Sequence, residues 1–214
     1  MRPRTRIKFC GMTRVEDAQA AVALGADAIG VVLTDRSKRF AGIERAREIR
    51  MSLPPFVDLV ALFMDDLPGF IAEAVAAVQP DLLQFHGAET AAECVRYRVP
   101  YLKVVAMGGG VDPQAVAHAH PAAAGFVLDG HAAGEQGGSG KSFDWSAARH
   151  AFAKPVVLAG GLTAANVGLA IRTARPYAVD VSSGIESAPG IKDAAKLRAF
   201  ADAVRAADET TAAP

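Results

Sequence analysis

Two cysteines occur in this chain of 214 residues, and one of them, Cys10, ends a short apolar run just before a glycine in "RIKFCGMT" (6–13). A thiol in that place has two readings. It is a small buried hydrophobe, as free cysteine commonly is, or its thiolate accepts a proton. Lys8 stands two residues earlier, and alternate residues of an extended chain share a face, so its ammonium would favour the thiolate. Asp129 ends the otherwise apolar "AAAGFVLD" and precedes "GHAAGEQGGSGK" (130–141). Its carboxylate reads as a turn or cap residue, or as a functional group under a glycine-rich flap.

Two further stretches, "AGGLTAAN" and "SSGIESAPG", suit an anion. Gly160 and Gly161 let backbone N–H groups approach closely, Thr163 opens a predicted helix, and Ser182, Ser183 and Gly184 complete a cradle. The bland alternative is a pair of tight glycine turns. "DRSKRF" (35–40) is either a solvated basic loop or the source of a fork, on Arg39, for a substrate carboxylate. His86 ends "QFHG", where a lone histidine is more often structural than catalytic. Cys94, inside "AAECVRY", reads as helix core.

What positions these groups is a regular alternation. Strand patterns occur at "RIKFC" (6–10), "AIGVVL" (28–33), "VDLVALFM" (57–64) and "DLLQFH" (81–86), then at "YLKVVAM" (101–107), "AGFVLD" (124–129), "PVVLAG" (155–160) and "YAVDVSS" (177–183). Ala-rich helical patterns lie between them, including "WSAARHAF", "TAANVGLAIRTA" and "KDAAKLRAFADAVRAA". Asp112 before Pro113 marks a helix start and Gly25 a helix end. Strict alternation implies parallel strands with crossover helices, and eight units predict a closed (β/α)₈ barrel. A doubly wound open sheet is the alternative, but no topological switch point is visible. Residues 1–207 are expected to form the one barrel domain, with 208–214 a polar, frayed tail.

In such a barrel, chemistry sits at the C-terminal ends of the strands. Cys10, His86, Asp129, Gly160–Gly161 and Ser182–Ser183–Gly184 all fall there. Closure makes the first and last strands neighbours, so Lys8 should meet Asp180, which shares a face with Ser182, inside the barrel. An unpaired charge there would be costly, and the pair either satisfies itself or serves the site.

Formal net charge is zero and 51% of residues are hydrophobic. Neither nucleic acid nor an anionic membrane is indicated as a partner, and a small molecule is. No apolar run approaches a membrane span and the N-terminus lacks a secretory pattern, so a cytoplasmic location with reduced thiols is expected. A monomer is expected, with a homodimer as the alternative.

Taken in order, "KFCGMTRVEDAQAAVALGADAIGVVL", "SKRF", "LLQFHG", "LDG", "GGSGKSFDW", "LAGGLTAANV" and "AVDVSSGIESAPGIKD" resemble the phosphoribosylanthranilate isomerase family almost end to end. The resemblance implies a (β/α)₈ barrel that converts N-(5-phosphoribosyl)anthranilate to the corresponding 1-deoxyribulose 5-phosphate by Amadori rearrangement, with no cofactor or metal. It implies Cys10 as general base and Asp129 as general acid. Arg39 would engage the anthranilate carboxylate, and Gly160, Gly161, Ser182, Ser183 and Gly184 the phosphate. Lys8, His86 and Asp180 match polar positions of the family's pocket. Gly130–His131 after the acid and "ALFMDD" in the third strand depart from the family pattern.

Two rival functions are weighed against this. One is another phosphosugar barrel, such as a histidine-pathway isomerase of the same reaction type, whose substrate carries a phosphate at each end, or an enzyme acting on both substrates. The loops after strands three and four, with Asp65, Asp66 and Glu89, should repel a second phosphate. The other is a catalytically silent barrel that binds a phosphorylated metabolite.

Overall fold

A computed structural model describes residues 4–130, 143–148 and 152–212. Eight strands form a closed barrel in sequence order: β1 (Arg6–Phe9), β2 (Ala28–Val32), β3 (Asp58–Phe63), β4 (Leu82–Phe85), β5 (Tyr101–Ala106), β6 (Gly125–Asp129), β7 (Val156–Leu158) and β8 (Ala178–Val181). Every neighbouring pair is parallel, and β1 against β8 completes the ring with Lys8 opposite Asp180. The open-sheet alternative is therefore excluded.

Seven α-helices occur among the described residues: α1 (Val15–Ala23), α2 (Gly42–Ser52), α3 (Pro68–Val78), α4 (Ala91–Val95), α5 (Pro113–Ala119), α6 (Val167–Ala174) and α7 (Ala194–Ala212). Their ends follow local chemistry. Gly25 takes φ +86° after α1, its N–H donates to Val22 O, and Ala26 N–H donates to Ala21 O. Only glycine adopts that left-handed turn cheaply. Asp112 caps α5 through the Gln114 N–H, with Pro113 in the first turn. Thr90 and Glu93 form a reciprocal capping box on α4.

Strand alternation divides the core. Outward residues meet the surrounding layer: Phe9 packs edge-on against Phe200 of α7 at 6.0 Å, and Phe126 stacks on Phe152, ahead of β7, at 4.7 Å. The opposite faces fill the barrel with two smaller groups, Leu102, Val104, Val127, Val157, Ala159 and Ala178, and then Cys10, Val32, Val60 and Leu62. The barrel is thus plugged below its mouth, and a ligand can enter only from the C-terminal ends of the strands.

Several elements differ from the sequence expectations. "WSAARHAF" holds a 3₁₀ turn at Trp145–Ala148, and residues 149–151 lie outside the described residues. Thr163 does not open α6, which starts at Val167. Asn166 intervenes, accepting the Thr163 N–H at 2.8 Å and donating to Gly161 O at 2.9 Å, which closes a separate turn first. α7 runs through residue 207 to Ala212, and the Asp208 carboxylate accepts the Thr5 N–H and hydroxyl, both at 2.7 Å. A short hairpin, β9 (Glu186–Ala188) with β10 (Ile191–Lys192), follows β8 where the sequence shows only a glycine-rich loop.

Candidate active site

The pocket at the mouth draws residues from the ends of most strands. Cys10 follows β1, and its N–H is fixed to Val181 O at 2.9 Å. Asp129 is the last residue of β6 and buried. Arg39, His86, Gly160, Gly161, Asp180, Ser182 and Ser183 line the same pocket. Lys8 lies beneath it, its Nζ donating to Asp180 Oδ2 at 2.7 Å, with both side chains more than nine-tenths buried. The strand-parity reading is met. Gly184 sits below the lining, where a Cβ would come within 2.0 Å of Leu162 O, so its lack of a side chain lets the β7 and β8 loops close on each other. The segment 131–142, most of the expected flap, lies outside the described residues.

Burial governs the charges. It would push the Lys8 ammonium down, but Asp180 and Cys10 together hold it above the ordinary lysine value. Burial also pushes the Asp180 carboxyl up, against the pull of Lys8 and with the help of Asp129. The Cys10 thiol is raised, chiefly by burial, although Lys8 and Lys192 draw it down. This corrects the sequence expectation of a depressed thiol. The cation is in place, but desolvation of a fully enclosed sulfur outweighs it.

Arg39 is already engaged. Its Nε and Nη2 donate to Glu186 Oε1 and Oε2, both at 2.8 Å, and Glu186 is more than 100 residues away in sequence, so no local signal reveals it. Lys192 Nζ also donates to Glu186 Oε1 at 2.9 Å. Gln84, likewise missed, donates its amide to His86 Nε2 at 2.6 Å and orients the ring. The signal for Gln84 was present as a polar residue of inward parity in an apolar strand. Gly30, also missed, faces the thiol from β2, and an isolated glycine within a strand is the recognised mark of a close approach.

On the β7–β8 side, Gly160 and Gly161 adopt φ +79° and +63°. This consecutive left-handed backbone suits an anion-binding concavity. Ser182 Oγ, Asp180 Oδ1 and Gln84 Oε1 are buried pocket atoms that have no hydrogen-bond partner among the described residues. Thr34 Oγ1 is a fourth, and since buried polar atoms are normally satisfied, such a group around one cavity indicates a polar ligand.

On the far side of the mouth, Glu89 does not project as a repelling charge. It is buried against Lys103 Nζ at 2.8 Å and accepts the Asp65 N–H at 2.8 Å. Asp65 accepts the Ala88 N–H at 2.7 Å and Asp66 the Met64 N–H at 2.8 Å. The acidic residues tie two loops together.

Known proteins resemble this chain over nearly its whole length. The sequence model of the N-(5'-phosphoribosyl)anthranilate (PRA) isomerase family matches residues 7–203. An N-(5'-phosphoribosyl)anthranilate isomerase of Pseudomonas aeruginosa is 54% identical over 210 residues, covering 97% of this chain and all of the relative. The crystal structure of phosphoribosyl anthranilate isomerase from Thermotoga maritima superposes with a TM-score of 0.85 at 39% identity, covering 94% of this chain and 99% of that one. Another, of the isomerase in complex with reduced 1-(o-carboxyphenylamino)-1-deoxyribulose 5-phosphate, gives a TM-score of 0.82 at 36% identity, with the same coverage.

Proposed function

The chain belongs to the PRA isomerase family and isomerises N-(5-phosphoribosyl)anthranilate to 1-(2-carboxyphenylamino)-1-deoxyribulose 5-phosphate in tryptophan biosynthesis, and we propose that Cys10 is the base and Asp129 the acid of that reaction. One observation carries the assignment. Cys10 follows β1 and Asp129 ends β6, strands that are not neighbours in the barrel, and both residues line the pocket that contains the glycine–serine corner. Acid and base must act on different atoms of one sugar, and such a separation suits them.

Asp129, protonated, gives its proton to the furanose ring oxygen as the C1–O bond breaks, and the anilino nitrogen lone pair forms the C1=N bond of a Schiff base. Cys10 thiolate takes the C2 proton. The C2–H electrons become the C1=C2 bond and the C1=N electrons return to nitrogen, giving an enolamine. Loss of the 2-hydroxyl proton and protonation at C1 give the ketone. The cationic Schiff base favours the thiolate, offsetting the burial that raises the free thiol.

Gly160, Gly161, Ser182, Ser183 and Gly184 form the phosphate corner, Arg39 takes the anthranilate carboxylate, and His86 and Asp180 support the pocket they line. Lys8 pulls against the burial that raises the Asp180 carboxyl and supplies positive charge beside the sulfur. The ligand class is a phosphoribosyl small molecule, and no described helix is long and apolar enough to cross a membrane. Both cysteines are free thiols, which supports a reducing cytoplasmic setting. For the assembly, a monomer is proposed with a homodimer as the alternative, and sedimentation velocity distinguishes the two.

The test is a pair of variants read by the loss of anthranilate fluorescence on turnover. Cys10→Ser should nearly abolish kcat while the reduced product analogue still binds, because a serine hydroxyl is too weak an acid to supply an anionic base. Asp129→Asn should lower kcat by about 10²-fold or more. Turnover by Cys10→Ser within a few-fold of wild type removes Cys10 from the role, and a change confined to KM does the same for Asp129.

A further inference from the structure

Arg39 and Lys192 bring two cations to one place under the rim of the pocket, and Glu186 is the carboxylate between them. Glu186 Oε1 accepts from Arg39 Nε, from Lys192 Nζ and, at 3.1 Å, from the Gly190 N–H. Its other oxygen takes Arg39 Nη2 at 2.8 Å. Lys192 is anchored in turn: its N–H donates to Asp17 Oδ2 at 3.1 Å and its Nζ to Ser182 O at 3.3 Å. Arg14 braces Asp17 from the α1 side through two hydrogen bonds, at 2.9 and 2.7 Å. The β9–β10 hairpin therefore forms a truss from the end of β8 to the Arg39 guanidinium.

A guanidinium has five N–H donors in a fixed plane. Glu186 uses the Nε–Nη2 edge, and Nη1 has no partner among the described residues. One hydrogen on Nη2 and two on Nη1 are left, which is the geometry of a second fork for a second carboxylate. Charge counting agrees. Arg39, Lys192 and Glu186 sum to +1, so a single carboxylate on the ligand makes the cluster neutral in a poorly solvated place, where an unbalanced charge is expensive.

We propose that Glu186, clamped by Lys192 and Gly190, is a positioning residue that holds Arg39 by one edge and presents the other to the aryl carboxylate of the substrate, setting specificity for the carboxylated ring. The proposal rests on the reading of Arg39 as the carboxylate partner. It adds that this selectivity is built by a residue beyond β8, with no need for Glu186 to touch the substrate.

The experiment compares the affinity of two reduced product analogues, one with the o-carboxyphenylamino group and one with a phenylamino group lacking the carboxyl. Their ratio is a readout that a general loss of stability does not move. Glu186→Gln keeps the shape but gives up one charged acceptor, and Glu186→Asp keeps the charge but is one methylene too short to hold both nitrogens. Each should shrink the ratio about tenfold or more, or ~1.4 kcal/mol, through weaker binding of the carboxylated analogue alone. Arg39→Met separates the two claims. If it leaves the ratio intact, Arg39 is not the carboxylate partner and the proposal falls with that reading. If it collapses the ratio while both Glu186 variants preserve it, Arg39 stands and the positioning role is overturned. Wild-type protein supplies a check that needs no variant. The ¹⁵N-detected Arg39 Nε–H signal should stay slow to exchange when the carboxylated analogue saturates the site. Loss of that protection on binding would mean that the ligand displaces Glu186, contrary to the proposal.

Discussion

Gly30 lies against Cys10 so closely that a Cβ on it would stand 2.8 Å from the sulfur and 3.2 Å from Lys8 Nζ. The glycine in β2 is therefore the wall against which the thiol and its cation are placed. Any side chain there must move one or both, since the sulfur is enclosed by neighbouring strands. Gly30→Ala should fold, at a cost of about 1–3 kcal/mol for overpacking, and lose about 10²-fold in kcat, the penalty expected from a misplacement near 1 Å. Circular dichroism melts beside the fluorescence assay check both halves. Wild-type turnover would show that the sulfur position is not critical.

Burial sets the direction of the pH dependence. The proposed base must act as thiolate, and the Cys10 thiol is held above the ordinary value of about 8.5 because desolvation outweighs Lys8 and Lys192. A base whose pKa is raised is under-populated at neutral pH, so kcat/KM should keep rising with pH through the ordinary thiol range. Alkylation of the free enzyme by iodoacetamide should follow the same titration. Cys94 provides an internal blank, since burial pushes its thiol to about 12. A midpoint below pH 8 for Cys10 would contradict the burial argument.

Lys8 and Asp180 test whether the buried pair serves the site or only satisfies itself. Lys8→Met leaves the Asp180 carboxylate enclosed without its cation and should destabilise the protein by about 3–5 kcal/mol. Lys8→Met with Asp180→Asn should recover much of that loss in urea melts, because neither charge is then stranded. Activity should not recover with stability, since Cys10 has lost the cation beside it. A double variant that regains both would make the pair purely structural.

The same pair shows what was legible in the sequence. Lys8 and Asp180 are conspicuous charges in apolar strands, and a period of two together with closure of eight units places them opposite one another. Position relative to strand ends located Cys10 and Asp129 by the same rule. Other features depend on distance in space alone. Glu186 pairs with Arg39 across most of the chain, so the loop that carries Arg39 has nothing to announce it. The direction of the Cys10 shift depends on how deeply the sulfur is enclosed, which spacing does not encode. At Thr163 the helix signal was real but displaced by one turn, because the Asn166 side chain satisfies the first free N–H. Glu89 stands out in the sequence as a loop charge that would repel a second phosphate, yet Lys103 draws it inward.

That displacement of Glu89 changes the reason for substrate selectivity without changing the expected outcome. A substrate with a phosphate at each end needs a second cradle opposite the glycine corner of β7 and β8. Backbone N–H groups in the β3 and β4 loops are the natural donors for it, but those of Met64, Asp65 and Ala88 already donate to Asp66, Glu89 and Asp65. Lys103, the nearest buried cation there, is held by Glu89 and Gly87 O. A second phosphate would have to break this network and face the carboxylates it released, so exclusion comes from occupied donors more than from bare repulsion. Phosphate or sulfate soaked into crystals should bind beside Gly161 and Ser183 and not beside Asp65 or Gly87. The bisphosphate intermediate of the histidine pathway should show no isomerisation above the buffer rate under conditions that give full turnover of N-(5-phosphoribosyl)anthranilate. Measurable isomerisation of the bisphosphate would show that these donors are not committed, and that the network between the β3 and β4 loops opens in solution.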